Sequence, residues 1–312
     1  IARFTMILLC GIPSESPLTL VASELATLGA PFLILNQRKV AHWDIAMSIT
    51  DDGLSGWLNL DGTLFSLADF SGIYLRLMDD RELPEFKSAP AGSPFRALCR
   101  ARHEVLLLWV ELTPARVLNR AAAMASNFSK PYQSQLIAAA GFDVPPTLVT
   151  NDPTAVCEFR RHHRRIIFKS ISSARSIVRE LTDADEMRLA AIRWCPTQFQ
   201  AFILGNNVRV HVVGEAVFAT EIISDATDYR YSQSETGTAA ELRAFNLEPE
   251  VAQRCRVLAQ RLGLSLAGID LKFTPDGRVY CFEVNPSPAF SYYEAHTAQP
   301  LARAIAQHLA AG

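Results

Sequence analysis

LAGIDLKFTPDGRVYCFEVNPSP, residues 266–288, decides how this 312-residue chain is read. Thr274-Pro275-Asp276-Gly277 is a tight-turn sequence between two runs of strand formers, so the stretch predicts a β-hairpin. Folding AGIDLKF back against VYCFEVN as antiparallel strands brings Asp270 near Glu283 or Asn285 across the ladder. Glu283 and Asn285 are two residues apart and therefore share a strand face. Three oxygen-donating side chains then converge on an otherwise apolar hairpin. Hard cations such as Mg²⁺ take oxygen ligands, often from a few carboxylates together with substrate phosphates. The pattern G-I-D-L-x(10)-F-E-V-N-P-S-P thus predicts a metal site made of Asp270, Glu283 and Asn285. For any one of these residues alone, a solvent-facing hairpin ending in an Asn-Pro turn is the plainer reading.

Outward from the hairpin, the chain reads as an α/β protein. FTMILLCGI is a buried strand, and Leu18, Val21, Leu25 and Leu28 then recur at helical spacing up to a stop at Gly29. PFLIL follows as a second strand, giving a β-α-β opening with parallel strands. CGIPSESP after the first strand is not GxGxxG, which argues against a dinucleotide-binding domain. AMSITDD, GWLNLDGTLFSL and SGIYLRLMDD are further strands, the last carrying Arg76. Residues 80–95, rich in Pro, Ala, Gly and Ser, predict a surface loop before a helix over 96–112. A helix capped at Ser129 and ended by Gly141 leads into the extended VPPTLVT. RRIIFKSI is a strand with Lys169 near its end. TQFQAFILGNNVRVHVVGEAVFATEI reads as consecutive strands. EPEVAQRCRVLAQRLGL is an amphipathic helix ended by Gly263, and TAQPLARAIAQHLAAG is the last helix.

Composition sets limits. Hydrophobic residues make up 49% and charged residues 20%, which fits a globular protein and not a disordered one. A net charge of −2 argues against a nucleic-acid binder. The six cysteines form no CxxC pair, so buried reduced thiols in a cytosolic protein are expected, not a zinc site or disulfide frame. VLLLWVEL is too short to span a membrane, and the N-terminal apolar run reads as a strand and not as a signal peptide. RRHHRR, 160–165, reads as a solvated helix end.

The hairpin also carries a resemblance. It is similar to the metal-binding end of the ATP-grasp superfamily, where an Asp on one strand and Glu-x-Asn on the next hold the magnesium ions of bound ATP. SKPYQSQLIAAAGFDVPPTLVT resembles the helix bearing an ATP-contacting lysine, here Lys130. RIIFKS resembles the strand whose lysine, here Lys169, approaches the α and β phosphates. TQFQAFILGNNVRVHVVG resembles the hinge of RimK-like ligases. That implies adenine contacts from Gln200, Ala201, Phe202 and Ile203, and a phosphate-facing Arg209. The likeness covers about residues 116–295 and extends to the microviridin-type peptide-maturing ligases, in which an arginine on a W/Y-x-R strand resembles Arg76. Two departures stand out. Ala201 replaces the usual hinge Glu, and SISSARSIVREL lacks the glycines of the usual lid, leaving Ser172, Ser173 and Arg175 to replace their phosphate contacts.

The resemblance implies an N-terminal preATP-grasp domain over 1–115, a central ATP-grasp subdomain over 116–198 and a C-terminal subdomain over 199–312. It implies a cytoplasmic ligase using ATP and two Mg²⁺ ions to join a carboxylate and an amine through an acyl phosphate, releasing ADP and phosphate. Such a reaction needs positioning and charge neutralisation, not a side-chain nucleophile. Lys272, on the face of Asp270, is either a nucleotide phosphate contact or a spectator in a salt bridge. Arg76, Arg175 and Arg230 are candidates for an anionic substrate, and His211 for a supporting role beside Arg209. Expected partners are small-molecule or peptide substrates, with no nucleic acid and no membrane; a homo-oligomer stays open. The rival readings are a peptide macrocyclase or ester-forming maturase, a kinase that stops at phosphoryl transfer, and a nucleotide-binding regulator without turnover.

Overall fold

The computed structural model describes residues 6–51, 53–171, 178–224 and 238–311. Ser172, Ser173, Arg175 and Arg230 lie outside the described residues. The first sheet contains β1 (Met6–Gly11), β2 (Phe32–Asn36), β6 (Phe70–Arg76) and β7 (Arg116–Leu118), all parallel, in the order β2-β1-β6-β7. Its apolar run in β1 serves both faces, as parallel strands require. Ile7 and Leu9 pack toward α1 (Ser16–Thr27) and the last helix, Leu301–Ala310. Leu8 and Cys10 pack toward Leu106, Trp109 and Val110 of α3 (Pro94–Leu112). They also meet a small antiparallel sheet, β3 (Trp43–Thr50), β4 (Gly53–Leu60) and β5 (Thr63–Ser66).

The second half supplies two antiparallel sheets. The central one has the order β10-β9-β11-β8, with β8 (Thr147–Thr150), β9 (Ile166–Ser170), β10 (Arg179–Glu180) and β11 (Thr197–Ala201). Its core of Val156, Ile166, Leu181, Leu189 and Phe199 includes one side chain of α6 (Pro153–His163). The C-terminal one has the order β14-β13-β12-β15-β16. It runs through β12 (Asn206–Val213), β13 (Ala216–Ile223), β14 (Glu241–Phe245), β15 (Leu266–Phe273) and β16 (Val279–Asn285). One of its faces packs on α5 (Lys130–Ala139) and α8 (Pro249–Arg261). The chain closes with α9 (Ser291–Thr297) and α10 (Leu301–Ala310). Leu301, Ile305 and Leu309 of α10 share one core with β1 of the first sheet and Val213 of β12.

Most sequence expectations hold. Gly29, Gly141 and Gly263 follow their helices with φ of +66°, +87° and +69°, the left-handed geometry that ends a helix. Ser129 occupies the position before α5 but makes no side-chain capping bond. The expected loop over 80–95 is more ordered than its composition indicates. It holds a turn of 3₁₀ helix, Asp80–Glu82, and α2 (Pro84–Ser88), and Asp80 is buried against Arg100 at 2.9 Å. All six thiols are free; four are buried as expected, while Cys157 of α6 and Cys195 before β11 are exposed. Among the described residues, no helix is long and apolar enough to cross a membrane.

Candidate active site

The hairpin forms as its turn predicts. Gly277 has φ +80°, which a residue with a Cβ adopts only with strain, and Thr274 O–H donates to the Arg278 carbonyl at 3.0 Å. The ladder then chooses the partner of Asp270. Asp270 lies opposite Glu283 on one side and opposite Arg209 on the other, so the three side chains form one row across β12, β15 and β16. The next row is His211, Gly268 and Asn285. A β-bulge makes this register possible. Leu271 pairs with Cys281 while Asp270 pairs with Glu283, which leaves Phe282 as the extra residue. In an unbroken strand Cys281 and Glu283 would share a face. The bulge sends Cys281 into the core and turns Glu283 to the other side.

Charges crowd this row. Arg209 Nη1 donates to Asp270 Oδ1 at 2.8 Å. Lys130, the first residue of α5, donates to Glu283 Oε1 at 2.6 Å and to Asn127 Oδ1 at 2.7 Å. Burial pushes the Glu283 carboxyl up and is the largest single influence on it. The charge and hydrogen bond of Lys130, with the charges of Lys169 and Arg209, outweigh it and hold the group below its usual range. Lys169 reaches the cluster from β9, where it pairs with Gln198 of β11. Among the described residues, three cations meet two carboxylates here, a set that suits a polyanion. Asn285 Oδ1 accepts from Ser287 N at 3.0 Å, which fixes the amide beside the row.

Helix α5 is locked to the same strand. Gln133 is 1% exposed; its Nε2 donates to the Val284 carbonyl at 2.8 Å and its Oε1 accepts from Val284 N at 3.0 Å. β16 is an edge strand, and Gln133 satisfies part of a ladder that has no further strand. Asp143 satisfies more, accepting from Cys281 N at 2.8 Å and donating to the Val279 carbonyl at 3.3 Å. Lys130 and Gln133 are three residues apart on one helix face. The bonds of Gln133 therefore set the height at which Lys130 meets Glu283.

The hinge lies between β11 and β12. Gln200 is buried and donates to Thr147 Oγ1 at 3.0 Å. Ala201 N–H donates to the Pro146 carbonyl at 2.9 Å, and Phe202 N–H to the Arg165 carbonyl at 3.0 Å. Lys272 Nζ donates to the Ile203 carbonyl at 3.2 Å and lies 5.6 Å from the ring centres of both Phe202 and Phe282. Burial lowers its pKa. Lys272 thus ties the segment after β11 to the β15–β16 hairpin. Its described bond is to a carbonyl, not to an acid.

Arg76 ends β6 and is only 8% exposed. It pairs with Glu15, and its Nη1 donates to Ser287 Oγ and the Pro288 carbonyl, both at 3.2 Å. It is joined to the loop after Asn285 and not to the Asp270 row. Asn119, 2% exposed, is a residue that sequence reasoning missed. Its Nδ2 donates to the Leu266 and Pro286 carbonyls at 2.6 Å each, and its Oδ1 accepts from Ser265 N at 3.0 Å and Leu266 N at 3.1 Å. It ties the start of β15 to the end of β16. A lone amide between an apolar strand and an alanine-rich helix, VLNRAAA, was the available signal. Glu15, Gln133 and Asn127 left no comparable signal.

Comparison with known proteins gives the family and the fold. The RimK-like ATP-grasp domain family matches residues 129–309. A probable alpha-L-glutamate ligase of Stenotrophomonas maltophilia is 29% identical over 253 residues, 76% of this chain and 85% of that protein. A RiPP-associated ATP-grasp ligase of Chryseobacterium gregarium, solved with ADP and a leader and core peptide, superposes with a TM-score of 0.82 at 21% identity, covering 98% of this chain and 96% of that one. The macrocyclase MdnC of Microcystis aeruginosa, solved with its precursor peptide MdnA, gives 0.78 at 20% identity, covering 99% and 100%. The chain belongs to the RimK-like ATP-grasp family and is an ATP-grasp ligase.

Proposed function

We propose that the chain joins a carboxylate to an amine at the expense of ATP, releasing ADP and phosphate. The observation that carries this is the row of Arg209, Asp270 and Glu283, with Lys130 and Lys169 converging on it from two other elements. A carboxylate is a poor electrophile. Transfer of the γ-phosphoryl group to its oxygen gives an acyl phosphate, and attack by the amine then expels phosphate. Asp270, Glu283 and Asn285 supply hard oxygen donors on neighbouring strands, which fits Mg²⁺. Two ions held there would neutralise charge on the β and γ phosphates. Lys130 and Lys169 hold the phosphates. Arg209 faces the transferring phosphoryl group and the later oxyanion. Gln200, Ala201, Phe202 and Ile203 contact adenine through their backbone, with Lys272 bracing the Ile203 carbonyl.

In this reading the nucleotide lies between a central subdomain, 116–198, and a C-terminal one, 199–312, with 1–115 as the preATP-grasp domain. Arg76 and, outside the described residues, Arg175 and Arg230 are the proposed contacts to an anionic substrate. A cytoplasmic location fits an ATP-using enzyme with free thiols. Thermal unfolding with ATP, with and without Mg²⁺, tests the nucleotide step. A Mg²⁺-dependent rise that vanishes in Glu283→Gln is expected. Product analysis with candidate acids and amines must give ADP; AMP would overturn the acyl-phosphate route.

A second reading has a specific support. The full-length structural likeness, including the N-terminal sheet, is to ligases solved with peptides. In this reading acid and amine, or acid and hydroxyl, lie on one peptide, and the product is a macrocycle. Mass loss of one water from a precursor peptide, against addition of glutamate to an acceptor, separates the two.

A further inference from the structure

Arg209 is 7% exposed and stands opposite Asp270 of β15, and neighbouring residues hold it there. Asp270 fixes one nitrogen at 2.8 Å. The other end of the guanidinium extends over the neighbouring row, onto Gly268. A Cβ at position 268 would stand 2.1 Å from Arg209 Nη2 and 2.6 Å from its Cζ. It would also stand 2.8 Å from the Pro288 Cβ. The space a side chain would fill is therefore occupied by the guanidinium and by the loop after Asn285. The ring of Tyr293 in α9 lies 5.8 Å from Arg209 Cζ and meets the His211 ring edge-on at 4.9 Å. Burial, and then the charge of Arg209, lower the His211 pKa and keep this neighbour neutral.

We infer that Gly268 and Tyr293 are positioning residues for Arg209: the missing Cβ forms the floor of a slot, the Tyr293 ring its roof, and together they aim the guanidinium at the phosphoryl group. Gly268 needs no special backbone angle. Its absence from the positive-φ glycines shows that the requirement comes from close approach alone. Gly268→Ala evicts the far end of the flexible Arg209 side chain and also presses on the Pro288 ring in the loop after Asn285, so it is read together with Tyr293→Leu, which adds no atom there. This inference rests on the ATP reading above.

The test is a double-mutant cycle read as nucleotide affinity by calorimetry, with Mg²⁺·AMPPNP and Mg²⁺·ADP as probes. Arg209→Ala should weaken AMPPNP by about tenfold or more, the scale of one charge-assisted hydrogen bond, and ADP by less than about twofold. Gly268→Ala should do the same alone and nothing further in the Arg209→Ala background. Tyr293→Leu provides a second route with the same selectivity, and Tyr293→Phe, which keeps the ring, should restore AMPPNP binding. Additive losses, or equal losses for both nucleotides, would overturn the inference while leaving ATP binding intact. Wild type that binds neither nucleotide overturns the ATP reading and this inference with it.

Discussion

The C-terminal and central sheets both supply charge to the same cluster, but they are held in place differently. Behind β12, β15 and β16, the described residues place a continuous core drawn from α5, α8 and four strands, β13 among them. The edge of β16 is further stitched by Gln133, Asp143 and Asn119. Behind β9 and β11, the described core consists of Val156, Ile166, Leu181, Leu189 and Phe199. Around it lie surface pairs, Arg160 with Asp183 and Arg165 with Glu180. The row that must keep its geometry to within a fraction of an ångström sits on the heavier sheet. Lys169 comes from the lighter one, which is free to open at lower cost. The proposed nucleotide site, which must admit its ligand and then enclose it, would use this inequality.

The sharpest test is Phe199→Ala. Loss of a buried aromatic costs about 3–5 kcal/mol. Here it should open the central sheet alone, so amide exchange accelerates in β8, β9 and β11 while β12 and β15 stay protected. Uniform acceleration would mean that the two sheets unfold as one and would break the comparison. Asn119→Ala comes next, at about 3 kcal/mol, because it leaves several buried backbone groups without partners. Urea unfolding should show that loss as a lower midpoint for the whole C-terminal sheet.

Glu283→Gln should remove the stabilisation conferred by Mg²⁺ and ATP, about 2.7 kcal/mol at a hundred times the dissociation constant. The same residue has a pH signature. Its carboxyl titrates lower in the folded protein than the ordinary value of about 4.3, so it contributes stability above that value and loses the contribution as pH falls through the folded one. The acid limb of a stability profile should therefore flatten in Glu283→Gln below about pH 4.3. Glu180→Gln, which breaks an exposed pair on the lighter sheet, should cost about 0.2–1 kcal/mol, and less in high salt. A larger loss would show that surface charge does for that sheet what packing does for the other.

Much of this was legible in the chain. The TPDG turn, the alternation of Asp270 with its apolar neighbours and the glycine stops after α1, α5 and α8 are local signals with local causes. They were enough for the hairpin, the element order and the approach of Asp270 to the Glu283 strand. The ordered segment at 80–88 was not legible, because the burial of Asp80 against Arg100 depends on where α3 packs.

Local spacing thus established which residues the β15–β16 hairpin brings together, since turn type and strand alternation act within a few residues. Long-range contact chose the rest. The bulge at Phe282 selected Glu283 over Asn285 as the partner of Asp270, because register depends on the whole ladder. Arg76 was turned toward Ser287, 211 positions away, and Gln133 toward Val284, 151 away. Contacts at that separation leave no period in a sequence; they exist only once separate cores have brought the strands side by side.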